Sequence, residues 1–277
     1  MRIHAILFSM ILCKRVTKKI DGKAVLSDVT LRIEPKECVC IVGEARAGKT
    51  TLFELLLKAQ EPTSGSIEVD GVPLTTLPPL ILQLYRSRLG VIFQEPRLLL
   101  HSTVAENIAF PLEIRGAAQS LIDRRVAELL KRFTLTTLKD QLPGDLSLSE
   151  RALVGIARAF VASPLILMAD EPLQALDEAQ AQAVLELFLE AKRQGCTIVV
   201  FTSNPSLADA IGARVLTLSG GKIIEQPKGH DLGRAPVRHR ILETDEEPAL
   251  TSVTVTEEPM ARLVKDKRKV KITQIHS

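Results

Sequence analysis

The residues best suited to chemistry form one short segment, GEARAGKT, from Gly43 to Thr50. An apolar run, Cys38 to Val42, precedes it, and a stretch with helical periodicity, Thr51 to Leu56, follows it. A glycine-bounded turn between a strand and a helix directs backbone N–H groups and the helix dipole to one point. Lys49 can then contact terminal phosphates, and the Thr50 hydroxyl can ligate Mg²⁺. The spacing predicts a phosphate-binding P-loop, with an ordinary strand-to-helix turn as the weaker alternative. The predicted nucleotide-binding residues here are Gly43, Glu44, Ala45, Arg46, Ala47, Gly48, Lys49, Thr50 and Thr51.

A pair of carboxylates forms the second chemical signal. The uninterrupted apolar run Leu165 to Ala169 ends in Asp170 and Glu171. Such a run is typical of a central parallel strand that is covered on both faces. We expect Asp170 to hold Mg²⁺, usually through water, because this cation keeps part of its hydration shell. Glu171 is predicted to polarise the attacking water, and a solvated acidic loop tip is the alternative.

Two further polar residues follow short apolar strands. Gln94 ends the predicted strand Leu89 to Phe93, and Asn204 lies just beyond the predicted strand Thr197 to Phe201. Strands of this kind meet at one edge of a parallel sheet, where ligands bind. Asn204 is therefore a candidate for sensing the γ-phosphate.

The remaining pattern predicts the elements that position these groups. Val25 to Ile33 and Ile67 to Val69 read as strands, with hairpin turns at Asp21-Gly22 and Asp70-Gly71. They predict an antiparallel β-layer on either side of the P-loop helix in the sequence. Residues 80–89 are helical in pattern, and helical periodicity dominates residues 103–138. The predicted fold is an α/β P-loop core with an antiparallel β-subdomain and an inserted α-helical subdomain.

Composition narrows the function classes. The 277 residues carry a net charge of +3 and a charged fraction of 25%, so no basic field for nucleic acid is expected. The cysteines at positions 13, 38, 40 and 196 lack zinc-ligand spacing and predict buried reduced thiols. The apolar run Ile3 to Cys13 is about half the length of a membrane span and lacks a cleavage signal. It predicts a first strand with an upstream extension, and Met10 is a candidate start.

Taken together, residues from Ile11 to about Glu225 resemble the nucleotide-binding subunits of ABC transporters. The family's ordered signals are the P-loop, the Q-loop VIFQEPRLL with Gln94, the signature region LSLSE at 146–150, the acidic strand LILMADEP, and the D-loop ALD at 175–177. The stretch FQEPRLLLHSTVAENIAFPLEIRG most resembles the FtsE cell-division ATPases. Lipoprotein-release and macrolide-export subunits are near competitors.

The resemblance implies a RecA-like P-loop NTPase that binds Mg-ATP in a head-to-tail homodimer. Ser147 would contact the nucleotide held by the partner subunit. Gln94, Glu171 and Asn204 would be the catalytic residues, while Thr50, Gln94 and Asp170 would hold Mg²⁺. An integral membrane subunit, FtsX-like if the resemblance holds, would dock near Gln94 and residues 95–108. The chain would then act in cell division as a peripheral protein on the cytoplasmic face of the membrane.

Four departures from the family pattern bear on activity. Leu148 and Ser149 occupy the two signature glycine positions, where leucine is expected to add bulk and backbone strain. Asn204 replaces the switch histidine and cannot carry its positive charge. Arg46 replaces the middle P-loop glycine, and its guanidinium either crosses the phosphates or turns to solvent. Ile20 stands where an aromatic residue stacks on adenine, which predicts weaker nucleotide affinity.

Two kinds of function remain open. Because two γ-phosphate contacts are altered, we expect slow ATP hydrolysis. The chain is either an ATPase that drives a membrane partner or a nucleotide-gated scaffold that binds ATP and turns over negligibly. A soluble ABC protein acting on nucleic acid is disfavoured, because tandem nucleotide domains or a long coiled-coil insertion would be expected.

The predicted domain boundaries follow from composition. Residues 1–9 form an N-terminal extension, and residues 10–229 form the ABC ATPase domain with a helical subdomain at about 96–160. Residues 230–277 read as a flexible charged tail with an acidic and then a basic cluster. Weak contact of the basic cluster with anionic lipid is the alternative to solvated disorder.

Overall fold

The structure, a computed structural model, describes residues 10–225. The chain divides into two units, Met1–Lys228 and Gly229–Ser277, and every described residue belongs to the first. The predicted N-terminal extension and charged tail, with its lipid contact, lie outside the described residues. The boundaries of the predicted ATPase domain remain predictions.

Ten strands and seven α-helices form the described region. The strands are β1 (Ile11–Ile20), β2 (Lys23–Ile33), β3 (Cys38–Val42), β4 (Ser64–Val69), β5 (Val72–Pro73), β6 (Leu89–Ile92), β7 (Ile166–Asp170), β8 (Thr197–Thr202), β9 (Arg214–Ser219) and β10 (Lys222–Glu225). The helices are α1 (Lys49–Leu56), α2 (Pro79–Ser87), α3 (Val104–Ile114), α4 (Gln119–Arg132), α5 (Leu148–Phe160), α6 (Glu178–Arg193) and α7 (Ser206–Ile211).

A six-stranded sheet forms the core, in the order β10-β9-β3-β8-β7-β6. Its strands run parallel except for the edge strand β10, which pairs antiparallel with β9. Every residue of β7 and β8 is buried, as expected for strands covered on both faces. Strand β8 separates β3 from β7 and brings their carboxyl ends to one edge of the sheet.

A second, four-stranded antiparallel sheet has the order β2-β1-β4-β5. The predicted turns at Asp21-Gly22 and Asp70-Gly71 are confirmed, since all four residues have positive φ angles of 48° to 78°. Two consecutive residues with positive φ match the twist of a tight hairpin, which explains the Asp-Gly sequence. The predicted antiparallel layer is therefore present, and β1 extends it to Ile20.

The third layer contains α3, α4 and α5; α3 packs on both α4 and α5, and α5 packs on β6. The predicted helical stretch 103–138 is divided between α3 and α4, because Gly116 between them adopts a left-handed φ of 66°. Capping boxes start α3 at Thr103 and α5 at Ser147. The helical residues lie within the predicted subdomain range of about 96–160.

The cysteines agree with the prediction of reduced thiols. All four are free and buried, and burial raises the pKa of Cys13 and of Cys196 to about 12. Such thiols are unreactive near neutral pH. Over residues 10–225, no helix has both the length and the apolar character that a bilayer crossing requires.

Candidate nucleotide-binding site

The P-loop connects the end of β3 to the start of α1. Gly48 is the N-cap of α1, has a φ of 103°, and places no side chain on the first helical turn. A Cβ atom at this position would lie 2.8 Å from Leu26 Cδ2 and 3.0 Å from the Val25 carbonyl oxygen. At Gly43 a Cβ would lie 2.5 Å from the Leu218 carbonyl oxygen. Gly43 is therefore required by close backbone approach and Gly48 chiefly by its positive φ, and the N–H groups at the start of α1 are left for an anion.

Lys49 is held inside the loop. Its ammonium donates hydrogen bonds to the carbonyl oxygens of Gly43 at 2.8 Å and Glu44 at 3.1 Å. It also lies 3.4 Å from Glu171 Oε1, and its side chain is 8% exposed. A buried lysine with these partners presents a fixed positive charge to a phosphate chain. Ala47 closes the turn by donating its N–H to the Glu44 carbonyl oxygen at 3.2 Å.

Asp170 and Thr50 meet across the cleft. The Thr50 hydroxyl donates a hydrogen bond to Asp170 Oδ2 at 2.8 Å. Asp170 Oδ1 is buried and has no hydrogen-bond partner among residues 10–225. Burial raises the pKa of Asp170 above its usual range, and the Thr50 hydrogen bond opposes part of that rise. An orphaned carboxylate oxygen beside a threonine hydroxyl fits a hard divalent cation or its water, as predicted for Mg²⁺.

Glu171 is fixed by two hydrogen bonds at the end of β7. Its Oε2 accepts from the Thr202 hydroxyl at 3.0 Å, and its Oε1 accepts from the Ser203 N–H at 2.8 Å. The Glu171 backbone has a φ of 45°, an uncommon conformation for a residue with a side chain. Strain of this kind occurs at functional sites, where surrounding contacts hold it in place. The carboxylate thus lies next to Lys49 in a defined position.

These groups surround a cleft of about 470 Å³. Its lining also includes Ala45, Arg46, Thr51 and Gln94, whereas the predicted residues Gly43, Glu44 and Ala47 are outside it. Gln94 Nε2 donates a hydrogen bond to Gln174 Oε1 at 2.9 Å. Sequence reasoning missed Gln174, although its place four residues after Asp170 was a usable signal.

Two predicted site residues have other local partners in this subunit. Asn204 Oδ1 accepts a hydrogen bond from the Ser206 N–H at 3.0 Å at the start of α7. The Ser147 hydroxyl donates to Glu150 Oε2 at 2.7 Å at the start of α5, which lowers the pKa of Glu150. Within the described region, neither residue lines the cleft. Their predicted roles at the γ-phosphate and in trans remain predictions.

The prediction of backbone strain at Leu148, in the signature region, is wrong. Leu148 is the first residue of α5, and it is not among the described residues with positive φ. A helix N-terminus accepts a leucine backbone without a left-handed φ, so the substitution costs no strain there. The Leu148 side chain is 58% exposed, so leucine in place of glycine adds bulk only at the surface. Ile20, at the predicted adenine position, is also exposed.

Comparison with known proteins agrees with this geometry. The sequence family described as ABC transporter matches residues 26–174. The methionine import ATP-binding protein MetN of Xanthomonas oryzae pv. oryzae is 40% identical over 209 residues, which are 74% of this chain and 62% of that protein. The cell division ATP-binding protein FtsE of Mycobacterium tuberculosis is 36% identical over 78% of this chain and 94% of its own length. The match thus spans less than two thirds of MetN.

Solved structures show the same fold. A dimeric post-hydrolysis structure of the ATP-binding cassette MJ0796, bound to ADP and Pi, has a TM-score of 0.71 and 29% identity. It covers 77% of this chain and 96% of that one. An ATP-binding subunit of an ABC transporter has a TM-score of 0.70 and 26% identity, covering 78% and 88% of the two chains. The predicted fold class is confirmed.

The family and the geometry lead to one assignment. Cassettes of this family are ATPases that bind ATP, with Mg²⁺ as the usual cation. The cleft holds the corresponding groups, namely a P-loop with its lysine and a buried aspartate beside a threonine hydroxyl. The chain belongs to the ABC transporter family, as one of its ATP-binding domains.

Proposed function

We propose that this chain binds Mg-ATP, hydrolyses it slowly in a head-to-tail dimer, and drives an integral membrane partner from the cytoplasmic face of the membrane. The observation that carries the proposal is the arrangement of Lys49, Glu171 and the Asp170–Thr50 pair around one cleft. Bound Mg²⁺ would neutralise charge on the phosphate oxygens, and Asp170 and Thr50 are the residues that would hold it.

The chain's own groups account for binding and water activation. Lys49 is buried next to the loop carbonyls, so its ammonium is positioned for the terminal phosphates. Glu171 is held by Thr202 and Ser203 where its carboxylate can orient a water and accept a proton. Asn204 instead accepts a hydrogen bond from the Ser206 N–H at the start of α7. Loss of one γ-phosphate contact supports slow turnover, since each 1.36 kcal/mol of barrier is about tenfold in rate.

A groove on the helical side of the sheet supports a membrane partner. It has a volume of about 630 Å³ and is lined by β6 residues together with Arg97, Leu99, Phe110 and Ile114. Ile114 is 63% exposed, and Phe110 is 38% exposed. Contiguous apolar patches are uncommon at the surface of a monomer and often mark an interaction site. Arg97 and Arg158, which also line the groove, favour an occupant that combines an apolar face with an acidic group.

The finer assignment is an FtsX-like partner in cell division. It is supported by the FtsE relative, because the match covers 94% of the FtsE sequence. The second candidate is a methionine-import complex, which the 40% identity to MetN supports over a shorter share of that protein. Separate co-expression with an FtsX-type protein and with a methionine-import membrane subunit from the same organism would distinguish them. Stable co-purification with the second alone would refute the cell-division assignment.

The first experiment is steady-state ATP hydrolysis beside ATP binding, with and without the co-purified membrane partner. Lys49→Ala is expected to abolish binding, and Glu171→Gln is expected to abolish turnover while binding remains. Lys131→Ala, at an exposed lysine of α4, is the matched control and should change neither. If the wild type binds ATP but does not hydrolyse it, and Lys49→Ala removes the binding, the chain is a nucleotide-gated scaffold and not an ATPase. A further alternative is that the chain is the ATPase of a lipoprotein- or macrolide-type exporter.

A further inference from the structure

The P-loop contains a residue whose backbone conformation is unfavourable for its type. Arg46 has a φ of 65°, in the left-handed region that glycine adopts at little cost. A residue with a side chain stays there only when other interactions or function compensate. Gly43 and Gly48 of the same loop are glycines because neighbouring backbone or side-chain atoms leave no room for a Cβ. The Arg46 side chain, by contrast, is exposed, so this position has room for a side chain and only its φ favours glycine.

Arg46 lines the cleft, and its guanidinium has no hydrogen-bond or ion-pair partner within residues 10–225. The other cation of the cleft, Lys49, already contacts two carbonyl oxygens and lies 3.4 Å from Glu171 Oε1. The Glu171 carboxylate is itself occupied by Thr202 and Ser203. Arg46 is therefore a second cation of the described cleft, and it differs from Lys49 in having no protein partner among residues 10–225.

The charge balance of the cleft points to the kind of ligand. The cleft is lined by two acidic residues, Asp170 and Glu171, and two basic residues, Lys49 and Arg46, so the protein groups alone sum to about zero formal charge. A nucleoside triphosphate brings several negative charges, and a guanidinium binds phosphate oxygens in a bidentate manner. Asn204 adds no positive charge here, because its amide side chain is neutral.

We propose that Arg46 is a second cationic contact to the terminal phosphate of a bound nucleoside triphosphate, and that it selects ATP over ADP. The inference rests on the proposed binding of ATP at this cleft. It assigns a function to a strained arginine that the fold does not require. Loss of one charge-assisted contact corresponds to about a tenfold loss of affinity.

The test measures ATP and ADP affinity by calorimetric titration with Mg²⁺, in the Glu171→Gln background to prevent turnover. Arg46→Gln removes the charge and keeps a side chain at the strained position. It is expected to weaken ATP binding about tenfold and to weaken ADP binding less. Arg46→Lys keeps the charge without the planar fork and should give an intermediate ATP affinity.

Arg46→Gly separates the contact from the strain. We expect the same loss of ATP affinity as in Arg46→Gln, together with a higher melting temperature of the nucleotide-free protein because the left-handed backbone is relieved. ATP affinity of Arg46→Gln equal to that of its parent would overturn the inference and leave the proposed function intact. Equal losses for ATP and ADP would also overturn it. A parent protein that binds no ATP would overturn both.

Discussion

Among the described residues of the cleft, Asp170 has a buried side-chain oxygen that lacks a hydrogen-bond partner. Its Oδ1 atom is buried and unpartnered, and desolvation raises its pKa. The folded protein therefore binds this proton more tightly than the unfolded chain does. As pH rises above the unfolded pKa, the buried carboxylate ionises and the fold loses stability. A cation at this oxygen would reverse the effect, because it stabilises the ionised form.

Asp170→Asn is therefore expected to have opposite effects on stability and on binding. Without nucleotide at pH 7, removal of a buried charge should stabilise the fold by about 1 kcal/mol and raise the melting temperature by about 2–4 °C. Stabilisation of the protein by Mg-ATP should largely disappear. Differential scanning calorimetry with and without Mg-ATP measures both. The control Asp140→Asn removes an exposed carboxylate, 83% accessible, and should leave both unchanged. A destabilised apo protein would contradict this account of Asp170.

At the scale of elements, the helical layer is tied to the core by a two-pronged ion pair. Arg132, the last residue of α4, donates from both terminal nitrogens to the two oxygens of Glu190 on α6, each at 2.8 Å. The Arg132 hydrogen bond lowers the pKa of Glu190. Glu186 is a more distant partner at 3.6 Å. Bidentate geometry gives this pair more energy than an ordinary surface ion pair, although solvent screens it.

Glu190→Gln is expected to destabilise the protein by about 0.5–1 kcal/mol at pH 7. Since the folded-state pKa of Glu190 is lowered, its stabilising contribution is complete above the unfolded value and is lost as pH falls through the lowered value. The difference between wild type and variant in urea denaturation should therefore shrink under acid conditions. Glu186→Gln, which removes only the longer contact, should have a smaller effect. An equal effect of the two substitutions would show that the bidentate geometry is not what matters.

At the scale of the whole molecule, the proposed membrane partner would dock at one edge of the core sheet. The groove lies on the β6 edge, whereas β10 forms the opposite edge of the same sheet. Ile114 on α3 and Ile224 on β10 are both exposed, at 63% and 55%. A membrane partner that docks in the groove should depend on the first and not on the second.

Ile114→Glu is expected to abolish co-purification with the membrane partner, because it places a charge in an apolar contact. ATP binding by the isolated chain should stay within twofold of the wild type, since the groove does not include the cleft residues. Ile224→Glu makes the same chemical change at the other edge and should retain the partner. Pull-down from detergent extract together with ATP titration gives both readouts. Loss of the partner with Ile224→Glu alone would move the docking site to the β10 edge.

Local sequence patterns determined much of this protein. The P-loop, the acidic end of β7 and the two Asp-Gly turns were all predicted, and the structure places each at the expected element boundary. These features depend on residues within about ten positions of one another, where steric limits on φ and hydrophobic periodicity act directly. The start of α5 at Ser147 was not predicted, although it is also a local feature whose capping box spans four residues.

The tertiary structure decided the features that depend on distant residues. Strand β8, the last of three in the sequence, lies between β3 and β7, and this order brings Thr202 and Ser203 onto Glu171. The Gln94–Gln174 contact joins residues 80 positions apart. Pairing of buried strands is governed by burial over the whole sheet, which no local pattern reports. The same long-range packing leaves Arg46 beside the cleft without a protein partner among the described residues, the property on which the proposed nucleotide selectivity depends.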